Sequence, residues 1–488
     1  MELWLILIAI ILGYFIWHGV SNRFPSRGTE HTLKTKVALA KRGIGQRRLS
    51  RKFAAIERPV DFDLTDEKKE IIDLLENSDS NILLMGKAGT GKSNFLKYFR
   101  ATTEKNIVVL AFTGVAAVNV QGQTIHSFFK FHPKTTLENI RRRREDYARI
   151  YKEVDILVID EISMVRADLL DFVDKFMRMN GRDASQPFGG AQVLAIGDLF
   201  QLPPIVMEGE KEYFSKVYKS PFFFDSNVFR KSGFIKMELT KVYRQDNLLQ
   251  VDFIKALDKL RDGSFSQKEI NLINSRCEPL YEKPTNEHVI SLVPTNQMAA
   301  EINNYELSKL HIKPIIYGGN INGEFKENNL PTDLNLKLKV GAQVMLLNND
   351  SRQRWVNGDL AKVIKTNADS VRVIFEDGTF DDIIKYKWDS IKYTYDEQSK
   401  KIQPEVAGTF TQLPLKLAWA ITIHKGQGKT FDKVHIDFGR GTFAAGQAYV
   451  ALSRCRALEG MVLTSPLESA HIFTDQVIIE FMKNNIDC

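Results

Sequence analysis

Apolar residues in the first half of this chain come in short unbroken runs that end abruptly in glycine or acid: Ile82-Leu83-Leu84-Met85, Ile156-Leu157-Val158-Ile159 and Val193-Leu194-Ala195-Ile196. Runs of this length without alternation predict strands buried on both faces, the strands of a parallel sheet with helices packed above and below. After the first run a glycine-rich turn leads into Asn94-Phe95-Leu96-Lys97-Tyr98-Phe99, which predicts a helix start. Between Val340 and Ala418 the pattern changes to short alternating segments such as Val371-Arg372-Val373-Ile374-Phe375, with turn signals at Asn357-Gly358 and Asp377-Gly378. That spacing predicts hairpins and a small β-barrel. A third pattern covers Leu3 to Asn22, twenty residues without a charge. As a helix it would be roughly 30 Å long, one hydrocarbon core. Glu2 precedes it, Trp4, Tyr14 and Trp17 lie towards its ends, and cations from Arg23 onward follow. The expectation is an uncleaved transmembrane anchor whose C-terminal side is cytoplasmic, with a cleaved signal peptide as the competing reading.

The breaks between the runs carry the chemistry. Gly86-Lys87-Ala88-Gly89-Thr90-Gly91-Lys92-Ser93 sits between a predicted strand and a predicted helix. Its glycines let backbone N–H groups and the helix N-terminus point at phosphate, Lys92 can reach the β- and γ-phosphates, and Ser93 can ligate Mg²⁺. Asp160 and Glu161 end the second run and would emerge beside this loop at the carboxyl edge of the sheet. Asp160 is placed to hold Mg²⁺ through water and Glu161 to polarise an attacking water. The third run ends in Gly197-Asp198-Leu199-Phe200-Gln201, where the neutral amide of Gln201 can sense the γ-phosphate. More than 300 residues after the phosphate loop, His424-Lys425-Gly426-Gln427-Gly428-Lys429-Thr430 and Ala451-Leu452-Ser453-Arg454-Cys455-Arg456 supply further polar and cationic groups.

These motifs, with A-F-T-G-V-A-A-V-N-V-Q-G-Q-T-I-H-S-F-F (111–129), D-E-I-S-M (160–164), P-F-G-G (187–190), G-D-L-F-Q-L-P-P (197–204), E-L-T-K-V-Y-R-Q (238–245), V-G-A-Q-V-M-L-L (340–347), W-A-I-T-I-H-K-G-Q-G (419–428) and Y-V-A-L-S-R-C-R (449–456), follow one another in a set order. Over roughly 61–470 the series resembles the petite-integration-frequency (Pif) helicases of superfamily 1, B branch. The resemblance implies an ATP-driven motor that moves 5′ to 3′ on single-stranded DNA and unwinds tailed duplexes and structured DNA. It implies ATP and Mg²⁺ as cofactors, and single-strand-binding or replication and repair proteins as partners. By the same resemblance Arg244 and Arg454 reach the γ-phosphate from the second lobe, and Gln427 and Gly428 lie near the phosphates. Thr113, Gly114, Thr124, His126 and Phe128 would line the DNA strand's path in the first lobe, with His424 and Lys425 in the second. An arginine supplied by a separate lobe would make hydrolysis depend on closure.

Two positions depart from the family pattern. Lys68, in Leu64-Thr65-Asp66-Glu67-Lys68, stands where the family commonly has a glutamine that reads adenine, and a lysine cannot make that paired donor and acceptor contact. Gly426 replaces a usual serine, which removes a hydroxyl.

The expected organisation is α/β: an anchor over 1–22, a basic linker over 23–57, a RecA-like lobe over 58–239 with a small wedge insert near 130–152, and a second RecA-like lobe over 240–488. That second lobe would be interrupted at about 348–412 by a β-barrel of the Src-homology-3 type. Arg141 to Arg144, followed by Glu145 and Asp146, are expected on a helix, where they read either as a nucleic-acid patch or, at least as well, as a solvated, salt-bridged face. Cys277, Cys455 and Cys488 show neither metal spacing nor a pairing pattern, which suits a reducing compartment.

Charge changes the picture in one respect. The chain carries a formal net charge of +7, but residues 1–52 alone account for +8, which leaves −1 for the rest. The body must therefore bind DNA through a local groove, not through its overall field. Two further readings are an ATPase subunit of a RecD-like complex with a nuclease partner, and a nucleotide-gated membrane switch that binds DNA without moving along it.

Overall fold

The computed structural model describes residues 58–59, 62–132, 134–243, 251–284, 287–439, 441–442 and 444–484. The expected anchor (1–22), the linker (23–57) and Arg244 lie outside the described residues. Among the described residues no helix is long and apolar enough to cross a membrane.

The apolar runs form a parallel sheet of six strands, β1 (Ile82–Gly86), β2 (Ile107–Ala111), β3 (Gln123–Thr124), β4 (Ile156–Asp160), β5 (Gln192–Gly197) and β6 (Ile235–Leu239), in the order β3-β2-β4-β5-β1-β6. Alternate residues of each run serve different cores, because successive side chains of a strand point to opposite faces. Leu83, Met85, Leu157 and Ile159 join one cluster with Leu170, Val173 and Phe176 of helix Ala167–Asn180. Ile82, Leu84, Ile156 and Val158 join another with Ile71, Leu75, Phe95 and Phe99 of helices Asp66–Asn77 and Lys92–Thr102. Both faces are dry, so the runs contain no polar alternation.

A second parallel sheet begins at β7 (Ile290–Val293) and is interrupted by antiparallel strands. These are β8 (Ile315–Gly318), β9 (Asn320–Gly323), β10 (Asn335–Leu338), β11 (Gln343–Leu346), β12 (Leu360–Thr366), β13 (Ser370–Phe375), β14 (Phe380–Ile384), β15 (Tyr386–Asp396), β16 (Lys401–Gln412) and β17 (Leu415–Leu417). They make a five-stranded sheet β14-β13-β12-β11-β17, a three-stranded sheet β15-β16-β9 and the pair β10-β8. Asp377-Gly378 turns β13 into β14, with Gly378 at φ 82°. Antiparallel structure thus starts at Ile315, ahead of residue 348. The second parallel sheet is then completed by β18 (Ala420–Thr422), β19 (Val434–Ile436) and β20 (Met461–Leu463), in the order β18-β7-β19-β20.

Two later segments return to the first lobe. The hairpin β15–β16 sends Tyr393 into its aromatic core, where the hydroxyl accepts a hydrogen bond from Val109 N–H (3.1 Å). At the hairpin tip Ile402 N–H donates to Asn106 Oδ1 (2.9 Å). Helix Gln476–Lys483, expected in the second lobe, buries Ile478 in the first lobe's core and stacks Phe481 on Phe224, centroids 4.2 Å apart.

Arg141–Arg144 is not helical. Helix Glu145–Lys152 starts only after Arg144, where Glu145 and Asp146 in the first turn suit the helix dipole. Arg143 N–H is instead fixed by Asn180 Oδ1 (2.6 Å).

Ile478 is 2% exposed and surrounded by first-lobe side chains. Ile478→Ala should therefore cost about 2–4 kcal/mol in chemical denaturation. A cost near that of a surface substitution, under about 0.5 kcal/mol, would mean that the helix does not dock there.

Candidate active site

The phosphate loop is built by its glycines. Gly89 (φ 87°) and Gly91 (φ 84°) take left-handed backbone, which side chains resist. A Cβ at Gly86 would stand 2.5 Å from Thr90 Oγ1, so no larger residue fits beneath the loop. Gly91 caps helix Lys92–Thr102, and Ser93 lies exposed in its first turn. Lys92 Nζ donates to the carbonyls of Gly86 (2.6 Å) and Lys87 (2.9 Å). Burial lowers its pKa, opposed by the charges of Asp198, Glu161 and Asp160.

Parallel register brings the acids to the same edge. Ala111 pairs with Asp160, Ile159 with Ala195 and Met85 with Gly197, so β1, β4 and β5 end side by side. Asp160 closes β4 and Glu161 follows in left-handed backbone at φ 53°. Burial raises both carboxyl pKa values; Glu161 pushes Asp160 further up, while Lys92 pulls both down. Among the described residues no group of three or more His, Cys, Asp or Glu side chains could hold a metal. A half-buried carboxylate pair, at the sheet edge that also carries the phosphate loop leading to exposed Ser93, nevertheless fits a divalent cation whose remaining ligands are phosphate and water oxygens.

The second lobe closes the site. Gln427 Nε2 donates to Glu161 Oε2 (3.1 Å), a hydrogen bond between residues 266 apart in sequence. Arg454 is fully buried; its Nε, Nη1 and Nη2 donate to Val450 O (2.9 Å), Lys429 O (3.2 Å) and Ser453 Oγ (2.8 Å), and its charge lowers the Glu161 pKa. Lys87 pairs with Asp258 of helix Val251–Asp262 (2.8 Å), and Ala88 faces Tyr449 and Ser453 across a narrow cleft. Gly428 has φ 76°. At Gly446 a Cβ would stand 2.3 Å from Phe200 O, so glycine is what allows the lobes to approach there.

Gln201 is buried and donates through Nε2 to Asp198 Oδ2 (3.1 Å). The other Asp198 oxygen accepts from Arg261 Nη2 (3.2 Å), whose guanidinium lies over the Phe200 ring at 4.2 Å. Sequence reasoning missed Arg261. The signal was its position on the apolar stripe Phe253, Ala256, Leu257, Leu260 of an amphipathic helix, where a cation needs a buried partner.

Lys68 is 3% exposed, and Nζ donates to Asp63 O (2.6 Å) and Tyr243 Oη (2.8 Å). It lies over the rings of Phe62 (4.8 Å) and Tyr243 (4.7 Å). The Tyr243 ring in turn would be 3.5 Å from a Cβ at Gly91, so this cation–aromatic cluster abuts the phosphate loop.

A groove of about 330 Å³ runs between the first lobe and the insert strands, lined by Gly114, Thr124, Ser127 and Lys130 on one side and Lys326, Asn329 and Lys392 on the other. A Cβ at Gly114 would collide with the Asn329 side chain at 2.1 Å. Thr113 and Thr124 also cap short helices, accepting from Ala116 N–H and Ser127 N–H (3.2 Å each). His126 is half-buried, edge-on to Phe112, with its pKa lowered by burial. Phe128 departs from expectation: at 4% exposure it packs against Phe129, Tyr151 and Tyr393, and offers no face to a base. His424 is half-buried, while exposed Lys425 crowds Lys416, whose pKa burial and that contact push down to about 8.

Comparison with known proteins places this geometry. Residues 63–271 match the family model for PIF1-like helicases. The chain is similar to the ATP-dependent DNA helicase Pif1 of Bdellovibrio bacteriovorus, 31% identical over 435 residues that cover 87% of this chain and 92% of that protein. It is similar to the crystal structure of Bacteroides sp. Pif1 in complex with ADP-AlF4, with TM-score 0.80, 38% identity and coverage of 87% and 97%. For Bacteroides Pif1 bound to single-stranded DNA the TM-score is 0.62 at the same identity and coverage.

With two of its three N–H groups donated to Asp63 O and Tyr243 Oη, Lys68 keeps one donor and has no acceptor, so it cannot pair with adenine's N7 and amino group together. Lys68→Gln should shift the ATP-to-GTP ratio of kcat/KM about fivefold towards ATP, the equivalent of one hydrogen bond. An unchanged ratio in competition hydrolysis would remove Lys68 from base recognition.

Proposed function

We propose a working cycle for a chain that belongs to the Pif1-like helicase family and, as a member, is an ATP-dependent DNA helicase. The observation that carries the cycle is the hydrogen bond from Gln427 of the second lobe to Glu161 of the first. It ties the residue suited to water activation to the position of the opposite lobe, so hydrolysis and lobe closure depend on each other.

In this reading Lys92 clamps the β- and γ-phosphates, Ser93 and Asp160 hold Mg²⁺, and Glu161 orients the attacking water. Gln201 senses the γ-phosphate, and Arg244 and Arg454 offset its developing charge. Bound Mg²⁺ would neutralise phosphate charge. Closure moves single-stranded DNA along the groove between the first lobe and the insert, 5′ to 3′. The backbone is held by Thr113, Gly114, Thr124 and His126 on the first lobe and by His424 and Lys425 on the second. The five-stranded sheet serves as a Src-homology-3-type barrel that guides the strand. Residues 3–22 tether the motor to a membrane, with its body on the cytoplasmic side.

Unwinding of duplexes carrying a 5′ or a 3′ single-stranded tail tests the cycle. Protein lacking residues 1–52 should open the 5′-tailed substrate and leave the 3′-tailed one largely intact. Lys92→Ala should abolish turnover, and Glu161→Gln should retain nucleotide binding with turnover reduced at least about 100-fold. Equal unwinding of both substrates rejects the direction, and wild-type rates in either variant reject the site.

The tether has its own test. Full-length protein should sediment with membranes and resist extraction by molar salt, whereas protein starting at residue 53 should stay in the supernatant and keep its DNA-stimulated ATPase. Release of the intact chain by salt would show attachment through the basic linker alone, which ions screen.

A further inference from the structure

Four consecutive arginines, 141–144, serve two different surfaces. The segment has no regular secondary structure, with extended backbone at Ile140 and Arg144. Arg142 Nε donates to Met179 O (3.2 Å) and Arg144 pairs with Asp146 (3.5 Å). Arg141 and Arg143, which donate to the backbone carbonyls of Glu138 and Ile140 and of Phe129 respectively, line a cavity of about 350 Å³ together with Lys130, His132 and Lys134, and its lining contains no carboxylate. Phe129, Phe131 and Phe176 form its floor but are buried and engaged with one another, which leaves no ring face open. Among the described residues the buried Nε of Arg143 has no hydrogen-bond partner.

Lys130 belongs to both this cavity and the groove between the first lobe and the insert. It adopts left-handed backbone (φ 58°), and burial depresses its pKa, opposed by Glu324 and reinforced by Lys392, Lys326 and Arg143. A nucleic-acid backbone leaving the groove past Lys130 therefore meets the cavity next.

We propose that this cavity is a second nucleic-acid site, which takes the phosphate backbone of the duplex arm beyond the single-strand groove; the proposal rests on reading the groove as the path of the strand. Several cations in a lining that holds no carboxylate select a polyanion. The three phenylalanines offer no stacking face, leaving exposed His132 as the one open ring in a lining otherwise led by cations, which suits paired DNA, whose bases are hidden, better than a single strand, whose bases need several stacking partners.

The test compares two double charge reversals of equal net charge on the same segment, Lys134→Glu with Arg141→Glu, and Arg142→Glu with Arg144→Glu. Fluorescence anisotropy at several salt concentrations would measure affinity for a single-stranded oligonucleotide and for the same oligonucleotide carrying a duplex arm. The cavity pair should weaken the armed substrate about tenfold and flatten its salt dependence by about two phosphate contacts. Single-strand affinity and single-strand-stimulated ATPase should be unchanged, and the Arg142/Arg144 pair should change neither affinity more than about threefold.

Equal losses from both pairs would mean general surface charge and overturn the proposal, as would equal losses on both substrates, or none. Competition by tripolyphosphate against the armed substrate alone, with no salt-slope change in the cavity pair, would assign the cavity to a free polyphosphate instead. If the wild type fails to bind the single strand at all, the groove reading fails first. Circular dichroism and ATP-binding measurements on both doubles exclude misfolding as the cause of a loss.

Discussion

Three carboxylates, Asp160, Glu161 and Asp198, are forced together at one edge of a parallel sheet, and the architecture around them is arranged to make that tolerable. Parallel strands in register end at the same level, so acids that follow neighbouring strands share one low-dielectric space. Each needs a cation or donor close by. Lys92 supplies charge from the phosphate loop, and Arg261 holds Asp198. Gln427 and Arg454 reach Glu161 from the second lobe, one by hydrogen bond and the other by its field. A substrate carrying phosphates and a divalent cation enters a balance of charge that is already set, and it can shift that balance.

Because Arg261, Gln427 and Arg454 all belong to the second lobe, the lobes are electrostatically coupled before any ligand is considered. The Lys87–Asp258 pair and the close approach at Gly446 act at the same seam. Rotating one lobe away from the other would strip Glu161 of its amide donor and Lys87 of its counter-ion together. That gives the seam two distinct electrostatic arrangements, the property a conformational motor needs.

The first sheet and its site were legible because they obey local rules: buried parallel strands leave unbroken apolar runs, and a loop that must bend around phosphate leaves its glycines at 86, 89 and 91. The second sheet was less visible. Its strands β18, β19 and β20 are three residues long, too short for periodicity to register. Arg454 could be assigned only through family resemblance, since nothing local marks an arginine at 0% exposure. Phe128 misled because an aromatic beside hydroxyls reads the same whether it faces a strand of DNA or Tyr151; only tertiary packing decides. The arginine run misled for a related reason, since the Asn180 side chain that fixes its backbone is 37 residues away.

The docking of helix Gln476–Lys483 on the first lobe has a consequence for how the protein is made. Strands β1 to β6 are complete once Leu239 has been synthesised, yet the core they build still lacks Tyr393, Ile478 and the ring of Phe481. At about 5–20 residues per second, the ribosome needs on the order of 10 to 50 s to deliver them. During that interval the N-terminal half is a nascent domain whose Phe224 and Phe229 rings lack the Phe481 ring that later packs on them. A chain released early would keep its phosphate loop and lose the helix that carries that ring.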